Sequence, residues 1–315
     1  MTTLITGSAG NLGTLIARHM LDTGEKLHLM IHKNGLPPDI SGHRNVKVFR
    51  ADLGVRDSLV ECCKGVDTVV HLGGVLFRPR PEKFLPVTNN LYFQNLVEVA
   101  LFQGVKKIIM VGFPHVEGES TPDRRARGVS EGNPSSVHAR TRLEQEKYLF
   151  RVTDGTGTAP VVFRLGMVYG RGILMIDAAR WLARRRLLGV WRRPTWVHLI
   201  SIPDFLDATK AAILRKNIRG IYQVGDDGPM TLQEFLDRAA KQWGCGKPWR
   251  MPGWMIKTAA SSVELFASVF NTASPLTRDF LRIGMASYCM DTSRMRKELL
   301  PHLKYPTLKE GIGEL

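Results

Sequence analysis

The chain has 315 residues, 43% hydrophobic and 23% charged, with a formal net charge of +15; that is the balance of a globular protein able to bury a real core. Its four cysteines, Cys62, Cys63, Cys245 and Cys289, show no CxxC spacing and no accompanying histidine pattern, which suggests neither a zinc site nor a disulfide framework, leads to the expectation of no metal, and points to a reducing cytoplasm. No apolar stretch is long enough to span a bilayer, and the apolar run at Leu4-Ile5 leaves no room for a signal peptide.

In chain order, short apolar runs alternate with amphipathic stretches. Thr3–Thr6 reads as a strand, Leu12–Leu21 as a helix, and Lys26–Ile31 and Val46–Arg50 as strands. Ser58–Cys63 reads as helix, Thr68–Leu72 as strand, Asn89–Gln103 as a long helix and Lys107–Val111 as strand. After a polar loop come a helix at Arg140–Phe150 and a buried strand at Val161–Arg164. Strands alternating with helices predict an α/β fold built on a doubly wound parallel Rossmann sheet over residues 1–170. A smaller, mostly helical lobe should occupy 171–315, with return strands to the core left open, one strand-like return at Gly220–Gly225 and a capped helix from Thr231, where Glu234 completes a capping-box spacing. Asp204 reads as the cap of a further helix.

The most specific local signal is Thr6-Gly7-Ser8-Ala9-Gly10-Asn11-Leu12-Gly13, set between the first strand and the first helix. Gly7 permits the tight turn, Gly10 lets the backbone approach a pyrophosphate, and Gly13 lets helix and strand pack closely. The helix N-terminus offers free N–H groups and the positive end of its dipole to phosphate. Dinucleotide sites usually carry a carboxylate about twenty residues further on, for the ribose hydroxyls. Here the second strand ends in Ile31-His32-Lys33-Asn34. Cations at this position can pair with a 2′-phosphate, so His32 and Lys33 argue for NADP over NAD.

Further segments join the glycine loop in a fixed order: Asp52-Leu53, His71-Leu72-Gly73-Gly74, Asn89 with Asn95, Leu165-Gly166-Met167-Val168-Tyr169-Gly170, and Tyr222-Gln223-Val224-Gly225. Together they resemble the extended short-chain dehydrogenase/reductase family, which includes NAD(P)-dependent epimerases, dehydratases, dihydroflavonol reductases and 3β-hydroxysteroid dehydrogenases. The resemblance covers nearly the whole chain. It implies that Asp52 and Leu53 contact adenine, that Leu72, Gly73, Gly74 and Asn89 pass beside the cofactor, that Leu165 and Val168 line the nicotinamide, and that Tyr222–Gly225 is a strand of the substrate lobe.

The resemblance departs at the catalytic positions. Where the family carries Tyr-x-x-x-Lys, this chain reads His138-Ala139-Arg140-Thr141-Arg142, and Gly112-Phe113-Pro114-His115 stands where a serine or threonine is expected. His138 can exchange protons near neutrality. Arg142 can hold the ribose and stabilise an oxyanion but cannot relay a proton. His115 is a second candidate donor. The leading expectation is an NADP-dependent oxidoreductase acting on a carbonyl or alcohol of a small organic substrate. A non-redox lyase, isomerase or cyclase, or a catalytically silent NADP-binding regulatory protein, stands beside it. The arginines from Arg180 to Arg193 hint at an anionic group, whereas Trp243, Trp249 and Trp254 hint at a greasy one. No nucleic-acid motif accompanies the charge. A membrane surface is a less favoured partner, and a homodimer is compatible with the sequence.

Overall fold

The computed structural model describes residues 1–75, 80–270 and 278–315, with side chains at 259 and 265–270 outside the description. The first half runs β1 (Thr2–Thr6), α1 (Asn11–Leu21), β2 (Lys26–Ile31), α2 (Pro38–Ser41) and β3 (Val46–Arg50). It continues through α3 (Arg56–Cys63), β4 (Thr68–His71), α4 (Tyr92–Phe102), β5 (Lys107–Gly112), α5 (Val137–Thr153) and β6 (Ala159–Leu165).

These six strands and Gly220–Val224 form one seven-stranded sheet, in the order Gly220–Val224, β6, β5, β4, β1, β2, β3. Every pairing is parallel. Alternation along each strand decides which face a side chain supplies. Ile5, Val70, Ile109 and Val161 join one buried cluster with Ile16 and Phe205, whereas Leu4, Val69, Ile108 and Val162 join another with Phe93 and Leu96. Both faces are covered, so the central strands read as unbroken apolar runs. The sheet reverses its winding between β1 and β4, which opens a crevice at the carboxyl ends of those strands.

Several boundaries differ from expectation. The predicted long helix over 89–103 divides into a π-helical turn, Pro86–Leu91, followed by α4. The strand Gly220–Val224, which resemblance placed in the lobe, pairs with β6 at the edge of the main sheet, the kind of return to the core that the division at 171 leaves open. Helix Ile202–Leu214 is capped by Ser201 Oγ, which accepts from Asp204 N at 3.1 Å; Asp204 sits inside the first turn. Its carboxylate instead accepts from the backbone N–H groups of Lys304 and Tyr305. The lobe also contains short strands of two or three residues, such as Gly189–Trp191 paired with Trp249–Met251. Among the described residues no helix is long and apolar enough to cross a membrane, and no group of three or more His, Cys, Asp or Glu could hold a metal ion.

Candidate active site

The glycine loop ends β1 and enters α1 at the crevice. Gly7 has φ of +69°, and a Cβ there would meet the backbone of Leu72 and Gly73 at 3.2 Å. At Gly13 a Cβ would lie 2.2 Å from Gly7 O. Both positions therefore need glycine, one for conformation and the other for close packing. Gly10 N donates to Gly7 O at 2.9 Å, which closes the turn. Helix α1 begins at Asn11 with no side-chain cap and no carboxylate in its first turn, so nothing competes with an anion there. Asn11 uses its side chain elsewhere: Nδ2 donates to Gly172 O at 2.5 Å and Oδ1 accepts from Leu174 N at 3.2 Å, tying the helix start to the lobe. Leu12 packs at the edge of the core.

Across the crevice, β4 ends in His71, buried and hydrogen-bonded to Thr6 Oγ1 at 2.8 Å. Burial, aided by the charge of Arg142, pushes its pKa down to about 3, so it stands neutral under the loop. A Cβ on Gly73 would meet the His71 ring at 2.9 Å, and one on Gly74 would meet the Arg142 guanidinium at 2.7 Å. Arg142 is thereby placed directly against the bend after β4. Burial lowers its pKa to about 10 against the opposing effect of Glu146, so it stays cationic at neutrality. Gln145 Oε1 accepts from it at 2.8 Å. Asn89, in the π-helical turn, donates to Thr141 Oγ1 at 2.9 Å, and its own Oδ1 is buried without a partner near Gly74. Such turns recur at functional positions because they re-aim side chains. Asn95 points away and donates to Leu53 O, holding the loop after β3.

His138 lies one turn before Arg142 on α5, whose N-terminus is capped by Ser136. Its Nδ1 donates to Asp279 Oδ2 at 2.6 Å, while Asp279 Oδ1 accepts from Val137 N at 3.2 Å. Burial opposes ionisation of Asp279, but the His138 hydrogen bond and charge and these backbone donors outweigh it and lower its pKa. His138 Nε2 is buried without a partner. With Nδ1–H committed to a carboxylate, the neutral ring presents a bare Nε2. Asp279, in helix Arg278–Met285, was invisible to motif reading because it approaches from 141 positions away.

His115 has a different setting. Its Nε2 donates to Ala286 O at 3.3 Å, its ring packs edge-on to Tyr288, and burial pushes its pKa down to about 4. It is a neutral histidine packed against the lobe, and its Nδ1 has no partner. Leu165 and Val168 belong to the main core cluster with 9% and 6% exposure. At the outer end of the crevice, His32 and Lys33 are exposed at the end of β2, and Arg50 lies alongside, donating to His32 O at 2.7 Å. Arg50, the last residue of β3, escaped the sequence reading, although a cation ending the neighbouring parallel strand was the available signal. His32 also lies 3.4 Å from the Asp52 carboxylate, whose other oxygen accepts from Gly54 N.

A cavity of about 540 Å³ opens beside the N-terminus of α5; Arg193, Lys257, Arg278 and Arg282 line it, with Glu119 and Ser135. Arg282 also donates to Ser135 O at 3.3 Å. Helix Arg278–Met285 therefore contributes both to this cationic cavity and to the carboxylate on His138.

Comparison with known proteins bears on this arrangement. Residues 3–225 match the NAD dependent epimerase/dehydratase family. A uronate dehydrogenase of Pseudomonas syringae pv. tomato is 27% identical over 163 residues, 52% of this chain and 58% of that protein, so the chain spans less than two thirds of that relative. A ceramide reductase of Caulobacter vibrioides is 25% identical over 276 residues, 86% of this chain and 80% of the relative. The structure of the UDP-glucose 4-epimerase of Thermus thermophilus, in complex with NAD, shares the fold with a TM-score of 0.74 at 20% identity, over 100% of both chains.

Proposed function

Because the chain belongs to the NAD dependent epimerase/dehydratase family, we propose that it is a nicotinamide-dependent oxidoreductase whose proton is handled by a His138–Asp279 pair. The observation that carries this reading is the 2.6 Å contact from His138 Nδ1 to Asp279, which leaves a buried Nε2 without a partner one turn from Arg142. His138 and Arg142 stand, on this reading, in place of the family's tyrosine and lysine.

The crevice fits a dinucleotide. The Gly7–Gly13 cradle and the uncapped start of α1 would hold the pyrophosphate; the unpaired Asn89 Oδ1 and Arg142 would face the ribose at Gly74. His32, Lys33 and Arg50 favour a 2′-phosphate, hence NADP, since no carboxylate ends β2. The bound cofactor would supply the hydride donor or acceptor. In alcohol oxidation, His138 Nε2 takes the hydroxyl proton, Asp279 stabilises the resulting imidazolium, and Arg142 stabilises the developing alkoxide. In the reverse direction the imidazolium returns that proton to the carbonyl oxygen. The cavity lined by Arg193, Lys257 and Arg282 favours a substrate with an anionic group.

The test is turnover of NADPH and NADP⁺ with ketones, aldehydes, hydroxysteroids, uronates and ceramides, followed by His138→Ala. The variant should lose rate by on the order of a hundredfold or more while keeping cofactor affinity. Tight NADPH binding with no turnover across the panel would transfer the reading to a silent regulatory protein. Full activity in the variant would remove His138 from the proton role.

A further inference from the structure

Two stretches of the chain are free of carboxylates. Between Asp177 and Asp204 there are six arginines and no acidic residue, and between Asp237 and Glu264 there are five lysines and arginines and again no acidic residue. The fold brings the two together. Strand Gly189–Trp191 pairs in parallel with Trp249–Met251, and Trp249 Nε1 donates to Arg186 O at 2.9 Å. Among the described residues, none of Arg184, Arg185 and Arg186 takes part in an ion pair, although Arg185 lies 3.8 Å over the Trp181 ring. Large apolar side chains stand exposed in these two stretches: Trp181 at 51%, Leu187 and Trp249 at 63%, Trp254 at 68% and Met255 at 42%.

An isolated exposed leucine or tryptophan needs no explanation, but a set of both interleaved in sequence with arginines that make no ion pair among the described residues does. Water solvates the arginines well and the indoles poorly, so a solvated face accounts for only half of the pattern. Polyanion attraction alone accounts for the arginines and leaves Leu187 and Met255 without a role. A bilayer interface satisfies both, because indoles settle at headgroup depth while guanidinium groups pair with lipid phosphates.

We propose that this face docks the protein on an anionic lipid leaflet, with Trp249, Trp254 and Leu187 at headgroup depth and Arg184, Arg185 and Arg186 against phosphate groups. The docking would be peripheral. Arg193 and Lys257 belong to the same acid-free stretches and also line the 540 Å³ cavity, so the docked face borders the cavity. The inference is independent of the catalytic reading, since it requires neither His138 nor a bound dinucleotide.

The experiment is co-sedimentation of the full chain with vesicles of phosphatidylcholine alone, or of phosphatidylcholine containing phosphatidylglycerol, at physiological and at high salt. Binding should require phosphatidylglycerol, weaken with salt, and shift tryptophan emission to the blue. Each arginine at an anionic surface is worth roughly fivefold in affinity. The triple variant Arg184→Ala, Arg185→Ala, Arg186→Ala should therefore bind on the order of a hundredfold more weakly. Trp254→Ser, on an exposed turn of helix, should weaken binding while retaining the salt dependence. Circular dichroism and thermal melting of both variants separate lost docking from lost folding. Equal binding to neutral and anionic vesicles, or none to either, overturns the proposal. So does binding to a single-stranded oligonucleotide that the triple variant abolishes, if vesicles are not bound.

Discussion

Replacing Asp279 by asparagine tests the proposed proton relay at its least obvious member. Both carboxylate oxygens now accept, one from Val137 N at 3.2 Å and the other from His138 Nδ1 at 2.6 Å. An amide has one acceptor oxygen and one donor nitrogen, so it cannot satisfy both. If its NH₂ faces Val137, two donors oppose each other. If it faces His138, the ring must move its proton to Nε2, and the neutral ring can no longer act as a base there. Loss of a charge-assisted hydrogen bond removes about 1.5–3 kcal/mol. At about 1.4 kcal/mol per tenfold in rate, kcat should fall by ten- to a hundredfold, with further loss from the wrong tautomer. Steady-state turnover should show that fall while NADPH affinity, read from fluorescence titration, stays within about twofold, because Arg142 and the glycine loop are untouched. Nitrogen-15 spectra of labelled His138 should shift from an Nδ1-protonated to an Nε2-protonated ring. Unchanged kcat with an unchanged ring tautomer, in a variant that still folds, would refute the reasoning.

Three further outcomes follow from the same geometry. Gly13→Ala would place a methyl 2.2 Å from Gly7 O, so calorimetry should show dinucleotide binding lost and thermal melting should show destabilisation by about 1–3 kcal/mol; wild-type binding would remove the loop from the site. Lys33→Ala should weaken NADP by about tenfold and leave NAD nearly unchanged, as measured by paired titrations; equal losses would sink the 2′-phosphate assignment. Stability should fall with acid. Burial holds His71 at about 3 and His115 and His198 at about 4, whereas it raises Asp226 to about 7. The histidines' contribution is complete above pH 6.5, their ordinary value, and is lost on acidification towards about 4. Asp226 acts in the opposite sense, contributing fully below 3.8 and losing that contribution as pH rises through about 7. Three protons against one set an upper limit of about 2.7 kcal/mol per pH unit on the net loss, approached at about pH 5 and smaller towards about pH 6 and 4. Denaturant midpoints that hold steady or rise across that window would contradict the burial argument.

The sheet was readable because β1, β4, β5 and β6 are covered on both faces, so uninterrupted Val, Ile and Leu had no other destination. The cofactor loop was readable because steric necessity at Gly7 and Gly13 leaves a spacing in the sequence. The short lobe strands left no such trace, since Trp249–Met251 and Gly189–Trp191 are too brief for a period of two to appear. Asn11 shows another limit: it stands in the glycine motif at the start of α1, and nothing in the motif tells that its side chain is occupied by Gly172 and Leu174. Asp279 marks the same limit at His138, because which carboxylate meets a histidine is settled by tertiary packing alone. His138 could be identified as a candidate; its orienting partner could not.

The family match ends at residue 225, and Asp279 lies beyond it. On the proposed function, the carboxylate that orients His138 therefore lies outside the segment by which the family is recognised. Helix Arg278–Met285 carries that carboxylate together with Arg278 and Arg282 of the cavity, so under the proposed function a shift of the helix to admit a new ligand would move the His138 contact as well. On that reading, binding of the anionic group and transfer of the proton are coupled through one helix.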